Sequence, residues 1–299
     1  MKRAGCLLAA ALPVVVTAVA YLFAPGHPEG GAPAGAAAPQ SRQEAKAAAE
    51  NPPDPEDEEA VDAMPAGLAA PAKKELAGRI EASAVHATLD WRRTYGTVRD
   101  VGDGQGYTAG IVGFCTGTHD LLSLVEHYTE KHPGNGLARY LPALRAVDGT
   151  DSHEGLDPGF TAAWQAEAKV EAFREAQDAE RDRVYFEPAV RLAKLDGLAT
   201  LGQLVYYDAM VFHGPDITAN GFYELRERAM AEADTPAEGG DEEAYLHAFL
   251  DRHREAIRAK RNDNDTSRVD TTLRRFLEEG RLELDPPLRW TVYGREYRT

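Results

Sequence analysis

From Lys73 onward the apolar residues recur at helical spacing. Leu76, Ile80, Ala84 and Ala87 share one stripe and predict an amphipathic helix over 73–88. The period changes at 103–114. There a Gly-rich stretch leads into YTAGIVGF, alternating and β-branched, which predicts a turn running into a short strand or hairpin. Helical spacing resumes over 118–131, with Thr118 or Asp120 near the start and Pro133-Gly134 beyond the end. A long Ala-, Glu- and Gln-rich helix is predicted over about 160–182. Another covers about 187–213 and stops at His213-Gly214-Pro215. Further helices fit 219–233, 241–260 and 268–279, and the closing LDPPLRWTVYG reads as extended. No repeat of solenoid period is present. The pattern describes one mainly α domain with a small β element, spanning 71–299.

The first seventy residues follow a different rule. Lys2 and Arg3 precede an apolar run from Ala4 to Ala24 with no acid in it, which predicts a secretory signal over 1–24. The run is also long enough to span a bilayer, so an uncleaved N-terminal anchor facing the exterior is the alternative. Residues 25–70 are rich in Pro, Gly, Ala and acids without an apolar period, and read as a disordered linker. With the leader gone, Cys115 has no intrachain disulfide partner. Buried in IVGFCTGT, it reads as a small core residue.

Charge narrows the partners. The formal net charge is −16. Residues 1–70 hold 4 Lys+Arg and 9 Asp+Glu, which leaves 71–299 with 29 against 40, a net of −11. A domain this acidic excludes nucleic acid as a partner bound through the global field and favours a cationic one. Scattered histidines and the lack of HExxH or CxxC point to no metal, and no cofactor motif stands out. No GxSxG marks a nucleophilic serine.

A few residues have the setting that chemistry requires. Asp103 lies between glycines in GDGQG, where a tight loop lets its carboxylate stand clear; an ordinary Asp-Gly turn is the plainer reading. Thr108 follows five residues later and is placed to orient a water. Asp208 sits mid-helix among apolar neighbours in YYDAMVFHG, so it must be paired, and Arg268 in DTSRV is the candidate partner. His213 either caps helix carbonyls or faces a cleft.

Several runs resemble the bacterial chitosanases of glycoside hydrolase family 46. They are LDW (89–91), GDGQGYTAGIVGFCTGT (102–118), HYT (127–129), YLPAL (140–144), ERDRVYF (180–186), YYDAMVFHGP (206–215), TPAEGGDEEAYL (235–246), DTSRVDT (265–271) and LDPPLRW (284–290). The resemblance covers about 73–294. It implies a lysozyme-like, two-lobed α+β fold with a central cleft, and inverting endo-hydrolysis of β-1,4-linked glucosamine polymers by a monomer. The implied substrate, chitosan, is cationic in mildly acidic solution and suits the acidic domain. By the same resemblance Asp103 is the general base and Thr108 helps hold the attacking water. Asp120, Tyr185 and His213 line the sugar-binding cleft, and Asp208 with Arg268 belongs to a buried ionic network.

An inverting glycosidase also needs a protonated acid on the leaving oxygen. The family places it six residues before the Trp of LDW, and here that position is Val85. Glu81 lies one helical turn earlier on the same stripe, about 6 Å along the axis, and is the expected substitute; a solvated helix carboxylate is its plainer reading. Alternatively the chain is a chitosan- or glycan-binding pseudoenzyme. Other departures accompany Val85. Gln105 stands where close relatives carry Arg, and His253 where an Arg completes the network, with Arg252 and Arg254 as expected replacements. Lys260 and Asn264 stand at positions that are acidic in relatives.

Overall fold

The computed structural model describes residues 55–299 apart from residue 217 and residues 261–263. The leader and most of the linker therefore lie outside the described residues. The end of the linker does not: residues 55–70, read above as disordered, fold. Helix α1 (Pro55–Asp62) is followed by a 3₁₀ turn at Gly67–Ala69. Leu68 is fully buried there, and its N–H donates to Gln203 Oε1 at 2.8 Å. One buried leucine contributes roughly 1.5–3 kcal/mol, enough to dock a short segment that lacks any apolar period of its own. The folded body thus begins before residue 71.

Helix α2 (Pro71–Val85) has Pro at its start and ends with His86, three residues earlier than its apolar spacing suggests. A three-stranded antiparallel sheet follows: β1 (Val98–Asp100), β2 (Tyr107–Ala109) and β3 (Phe114–Cys115), ordered β1-β2-β3. Then come α3 (Asp120–Lys131), α4 (Leu141–Val147), which the apolar pattern had not marked, and α5 (Phe160–Glu167). The helix expected over 160–182 is broken after α5 and resumes as α6 (Glu171–Arg181).

From Glu171 the chain stays helical to Leu195 through a π turn at Asp182–Phe186 and then α7 (Glu187–Leu195). Pro188 explains the π turn. It has no N–H for the carbonyl four residues back, and its ring crowds that carbonyl, so the helix widens just upstream. The Glu187 N–H instead reaches Asp182 O, five residues back. The helix expected over 187–213 is likewise two helices, since Gly197 takes φ +78° and ends α7 before α8 (Thr200–His213) begins.

The long helix joins two lobes. Its first half packs in the lobe of the three-stranded sheet, with α3 to α5. Phe173 meets Trp164 edge-on at 5.0 Å, and Gln177 Nε2 donates to Tyr95 O at 3.1 Å. Its second half packs on α8, where Phe186 meets Tyr207 at 5.2 Å. The second lobe adds α9 (Phe222–Met230), α10 (Glu242–Lys260), a π turn at Val269–Leu273 running into α11 (Arg274–Glu278), and a hairpin of β4 (Arg289–Val292) and β5 (Arg295–Arg298). Trp290 of β4 donates its indole N–H to Ser83 Oγ at 2.9 Å, tying α2 to this lobe. Nearly all of α8 is buried, polar residues included, as expected of a helix at the centre of a lobe. The architecture is mainly helical, two-lobed and lysozyme-like, with small antiparallel sheets. No helix among the described residues is long and apolar enough to cross a membrane.

Candidate active site

Asp103 lies on the exposed loop between β1 and β2, with Gly102 at φ +73° and Gly104 at φ +83° on either side. Its Oδ1 accepts the Gln105 N–H at 3.1 Å. The loop is stitched to the segment after β3: the Gly117 N–H donates to Gln105 O at 2.9 Å, and the Tyr107 N–H to Thr116 Oγ1 at 3.0 Å. This explains Gly106 (φ +68°), because a Cβ there would lie 2.2 Å from Thr116 Oγ1. The carboxylate is therefore free at the surface while its backbone is held on a sheet.

Thr108 is the middle residue of β2, paired with Arg99 on one side and Cys115 on the other. Its hydroxyl lies 3.4 Å from Cys115 Sγ. Burial pushes that thiol up to about 12, so Cys115 stays protonated and packs as the small core residue expected. Val85, the last residue of α2, approaches the same sheet. A Cβ on Gly113 would fall 3.3 Å from Val85 Cγ1 and 3.0 Å from Thr108 Cγ2. The Val85 side chain thus sits against the turn beside Thr108, and it is a hydrocarbon.

Glu81 is not a solvated helix carboxylate. It is 3% exposed and pairs with Arg268, whose Nη2 donates to Glu81 Oε1. It also lines a small cavity of about 10 Å³ with Gly78, Trp91, Ile111, Val112, Arg181 and Tyr207, room for about one water. The expected Asp208–Arg268 ion pair is present and buried, with Arg268 Nε to Asp208 Oδ1 at 2.7 Å. His253 continues the line by donating from Nε2 to Asp208 Oδ2 at 2.9 Å, and His213 Nε2 lies 2.7 Å from His253 Nδ1. Phe212 closes one face, 5.3 Å beneath the Arg268 guanidinium. Five residues from α2, α8, α10 and the turn before the second π segment form one buried row.

Two carboxylates in this row share one guanidinium. Burial alone would raise Asp208, but Arg268 and His253 hold it below the usual carboxylate range. Glu81 has only the far end of Arg268. Burial pushes it up to about 7 against the pull of Arg268, and the Asp208 charge adds to the rise. The proton goes to the less compensated carboxyl.

The three residues expected to line a cleft are all buried and occupy two places. Asp120 opens α3 and accepts four hydrogen bonds: from the Cys115 N–H at 2.9 Å, the Leu121 N–H at 3.0 Å, Thr118 Oγ1 at 2.7 Å and the Tyr185 hydroxyl at 2.5 Å. It fastens β3, α3 and the first π turn together. His213 lies apart, in the row above. Its carbonyl, at the end of α8, accepts from Lys260 Nζ at 3.2 Å, so Lys260 caps a helix end. Arg252 and Arg254 do not replace an Arg at 253. The first pairs with Glu232 and Glu255, the second with Asp251 and Asp270. They flank His253 in sequence, and the helical turn points them away from the row. His86 is a poor proton donor: burial drops it to about 4, and its Nε2 contacts Ile111 O at 3.2 Å. The His213–His253 contact was not legible beforehand. Its only signal was His213 at the end of an apolar helix and His253 on a charged, amphipathic helix that also carries His247.

Known proteins place this arrangement. A chitosanase of Streptomyces sp. (strain N174) is 53% identical over 232 residues, 78% of this chain and 84% of that protein. A chitosanase of Nocardioides sp. (strain N106) is 49% identical over 231 residues, 77% and 83% of the two chains. Among solved structures, the co-crystal structure of chitosanase OU01 with substrate superposes with a TM-score of 0.77 at 47% identity, covering 79% of this chain and 100% of that one. The complex of a Gynuella sunshinyii GH46 chitosanase with chitotetraose gives 0.71 at 30% identity, covering 79% and 98%. The glycosyl hydrolase family 46 model matches residues 79–288, from the helix that carries Glu81 and Val85 to the edge of the closing hairpin. With its Asp103 loop and its buried row of charge, the chain belongs to glycosyl hydrolase family 46.

Proposed function

We propose that this protein is an endo-acting chitosanase that works by inversion, with Asp103 as general base and Glu81 as general acid. Asp103, exposed at the surface, takes a proton from a water that Thr108 helps orient. That water attacks the anomeric carbon while Glu81 gives its proton to the leaving glycosidic oxygen. One bond breaks, one forms on the opposite face, and the two carboxyls end with exchanged protonation. The observation that carries this reading is the enclosure of Glu81, which shares one guanidinium with Asp208. A carboxyl held near 7 by burial keeps its proton where chitosan is cationic, which a general acid requires. The substrate class follows from family membership and from the acidic domain. Asp120, Tyr185 and His213 then shape the cleft wall from behind. We read residues 1–24 as the signal that exports a monomeric enzyme.

The test is reducing-end release from chitosan by the full chain, beside Glu81→Ala and Val85→Glu. The reading requires an active wild type and a loss of roughly 10²–10⁴-fold in Glu81→Ala. Val85 favours a second reading, a glycan-binding member without turnover. That reading holds if the wild type is silent, binds chitosan, and gains activity in Val85→Glu. N-terminal sequencing of protein from the culture medium checks the signal, and light scattering checks the monomer.

A further inference from the structure

The position of Asp103 is a property of its loop, because the group that holds its carboxylate, the Gln105 N–H, belongs to the same loop. Residues 101–106 leave the sheet after Asp100 and return to it at Tyr107, and these two residues are register partners across β1 and β2. Gly102, Gly104 and Gly106 all take positive φ. Such a backbone has little stiffness of its own, so the aim of Asp103 is set where the loop is fastened. On the returning side the fastening is to Thr116 and Gly117. On the leaving side it is the Asp100 carboxylate, whose Oδ1 accepts the Gly102 N–H at 2.7 Å and turns the chain toward Asp103.

The other oxygen of Asp100 meets a residue from elsewhere in the chain. His153 lies on the segment between α4 and α5. Its ring stacks on Tyr107 with the centroids 4.0 Å apart and the planes within 9°. Its Nε2 lies 3.4 Å from Asp100 Oδ2, and its Nδ1 3.7 Å from Asp157 Oδ2. The Tyr107 hydroxyl donates to Asp157 Oδ1 at 2.6 Å, which fixes the surface on which the imidazole rests. The segment is itself anchored: Leu156 is fully buried, and its N–H donates to His153 O at 3.0 Å. One imidazole therefore meets both residues at the root of the loop, Tyr107 by its face and Asp100 by its edge. A neutral ring donates from one nitrogen and the cation from both, so the hold on Asp100 needs only Nε2–H.

We infer that His153 is a positioning residue for Asp103: seated on Tyr107, its ring edge holds the Asp100 carboxylate, and Asp100 in turn holds the leaving side of the Asp103 loop. The catalytic consequence rests on the reading of Asp103 as general base. The hold on the loop does not.

The two are separated by watching the loop without turnover. Nuclear relaxation of the full chain labelled at glycine nitrogens reads Gly102 and Gly104 directly, with Gly202, buried in α8, as the internal control. In His153→Ala the order parameters of Gly102 and Gly104 should fall to about 0.6 or lower, while that of Gly202 stays at the wild-type value. The same variant should lower kcat on chitosan by roughly 10–10²-fold and move KM by less than about threefold, as expected when a reacting group loses its aim. Asp100→Ala should do the same, and adding His153→Ala to it should cause no further loss, because the two act through one contact. If His153→Ala does not fold, His153→Phe keeps the stacked face and lacks the edge, and it should loosen the same two glycines. A folded variant whose Gly102 and Gly104 are as ordered as in wild type overturns the inference. So does loosening that spreads to Gly202, or a full additional loss of kcat in the Asp100→Ala background. If the glycines loosen as described while Asp103→Asn cleaves chitosan normally, the hold on the loop stands and the general-base reading falls.

Discussion

The two carboxyls assigned to the reaction live under opposite conditions. Asp103 is exposed on a loop, held by one backbone N–H and surrounded by glycines. Glu81 is buried in a helix and held by a guanidinium that a second carboxylate also claims. Water reaches the first freely, and enclosure withholds charge from the second. In the mechanism we propose, a base and an acid are thereby obtained from nearly the same functional group, with solvent access deciding which is which. The comparison also divides the molecule: one site is tolerant in stability and strict in chemistry, and the other is strict in both.

Substitutions break or sharpen that division. The largest effects are catalytic. Asp103→Asn should lower kcat by roughly 10²–10⁴-fold while moving stability within about ±0.5 kcal/mol, measured by reducing-end release and thermal melting. A large loss of stability would show that the loop has a structural duty. Arg268→Ala should cost about 3–5 kcal/mol, because it leaves Asp208 buried and uncompensated, and denaturant titration reads it. Smaller is Tyr185→Phe, which removes one of the four donors to Asp120 and should cost about 1–3 kcal/mol in the same titration.

Next comes a pH effect. The folded pKa of Glu81 lies above its unfolded value of 4.5, near 7. Its contribution to stability is therefore complete below 4.5 and is lost as pH rises through 7. Glu81→Gln, which cannot ionise, should gain in melting temperature relative to wild type between pH 5 and pH 8, and a gap that is flat with pH would refute the buried acid. Smallest is Arg252→Ala. Its surface pairs with Glu232 and Glu255 are worth about 0–1 kcal/mol, and the pH profile should not move.

The exposed half of this division was legible and the buried half largely was not. Asp103, its glycines and Thr108 are contiguous, so loop chemistry and spacing reach them. The row of Glu81, Asp208, His213, His253 and Arg268 is assembled by packing across four separate segments. Only the Asp208–Arg268 pair could be argued, because a carboxylate in an apolar helix demands a cation. Glu81 was located by helical spacing, but its solvation was not, since spacing gives a face and does not say what covers it. The breaks within 160–182 and 187–213 were missed for a related reason: composition stays helical across them, while Gly197 and the α5–α6 junction turn the chain. Residues 55–70 were assigned to the linker because Leu68 docks alone, and one residue makes no period.

The two π turns have a genetic consequence. One precedes α7 and carries Tyr185; the other begins directly after Arg268. Each is one residue more than an α-helix would use over the same span. Removing that residue would let a regular α-helix cover the same span with the flanking helices in their present orientation, while changing which side chains the widened turn presents. A one-codon deletion at either turn is therefore a lesion that the surrounding helices can absorb, with its effect confined to the side chains at the turn, Tyr185 among them.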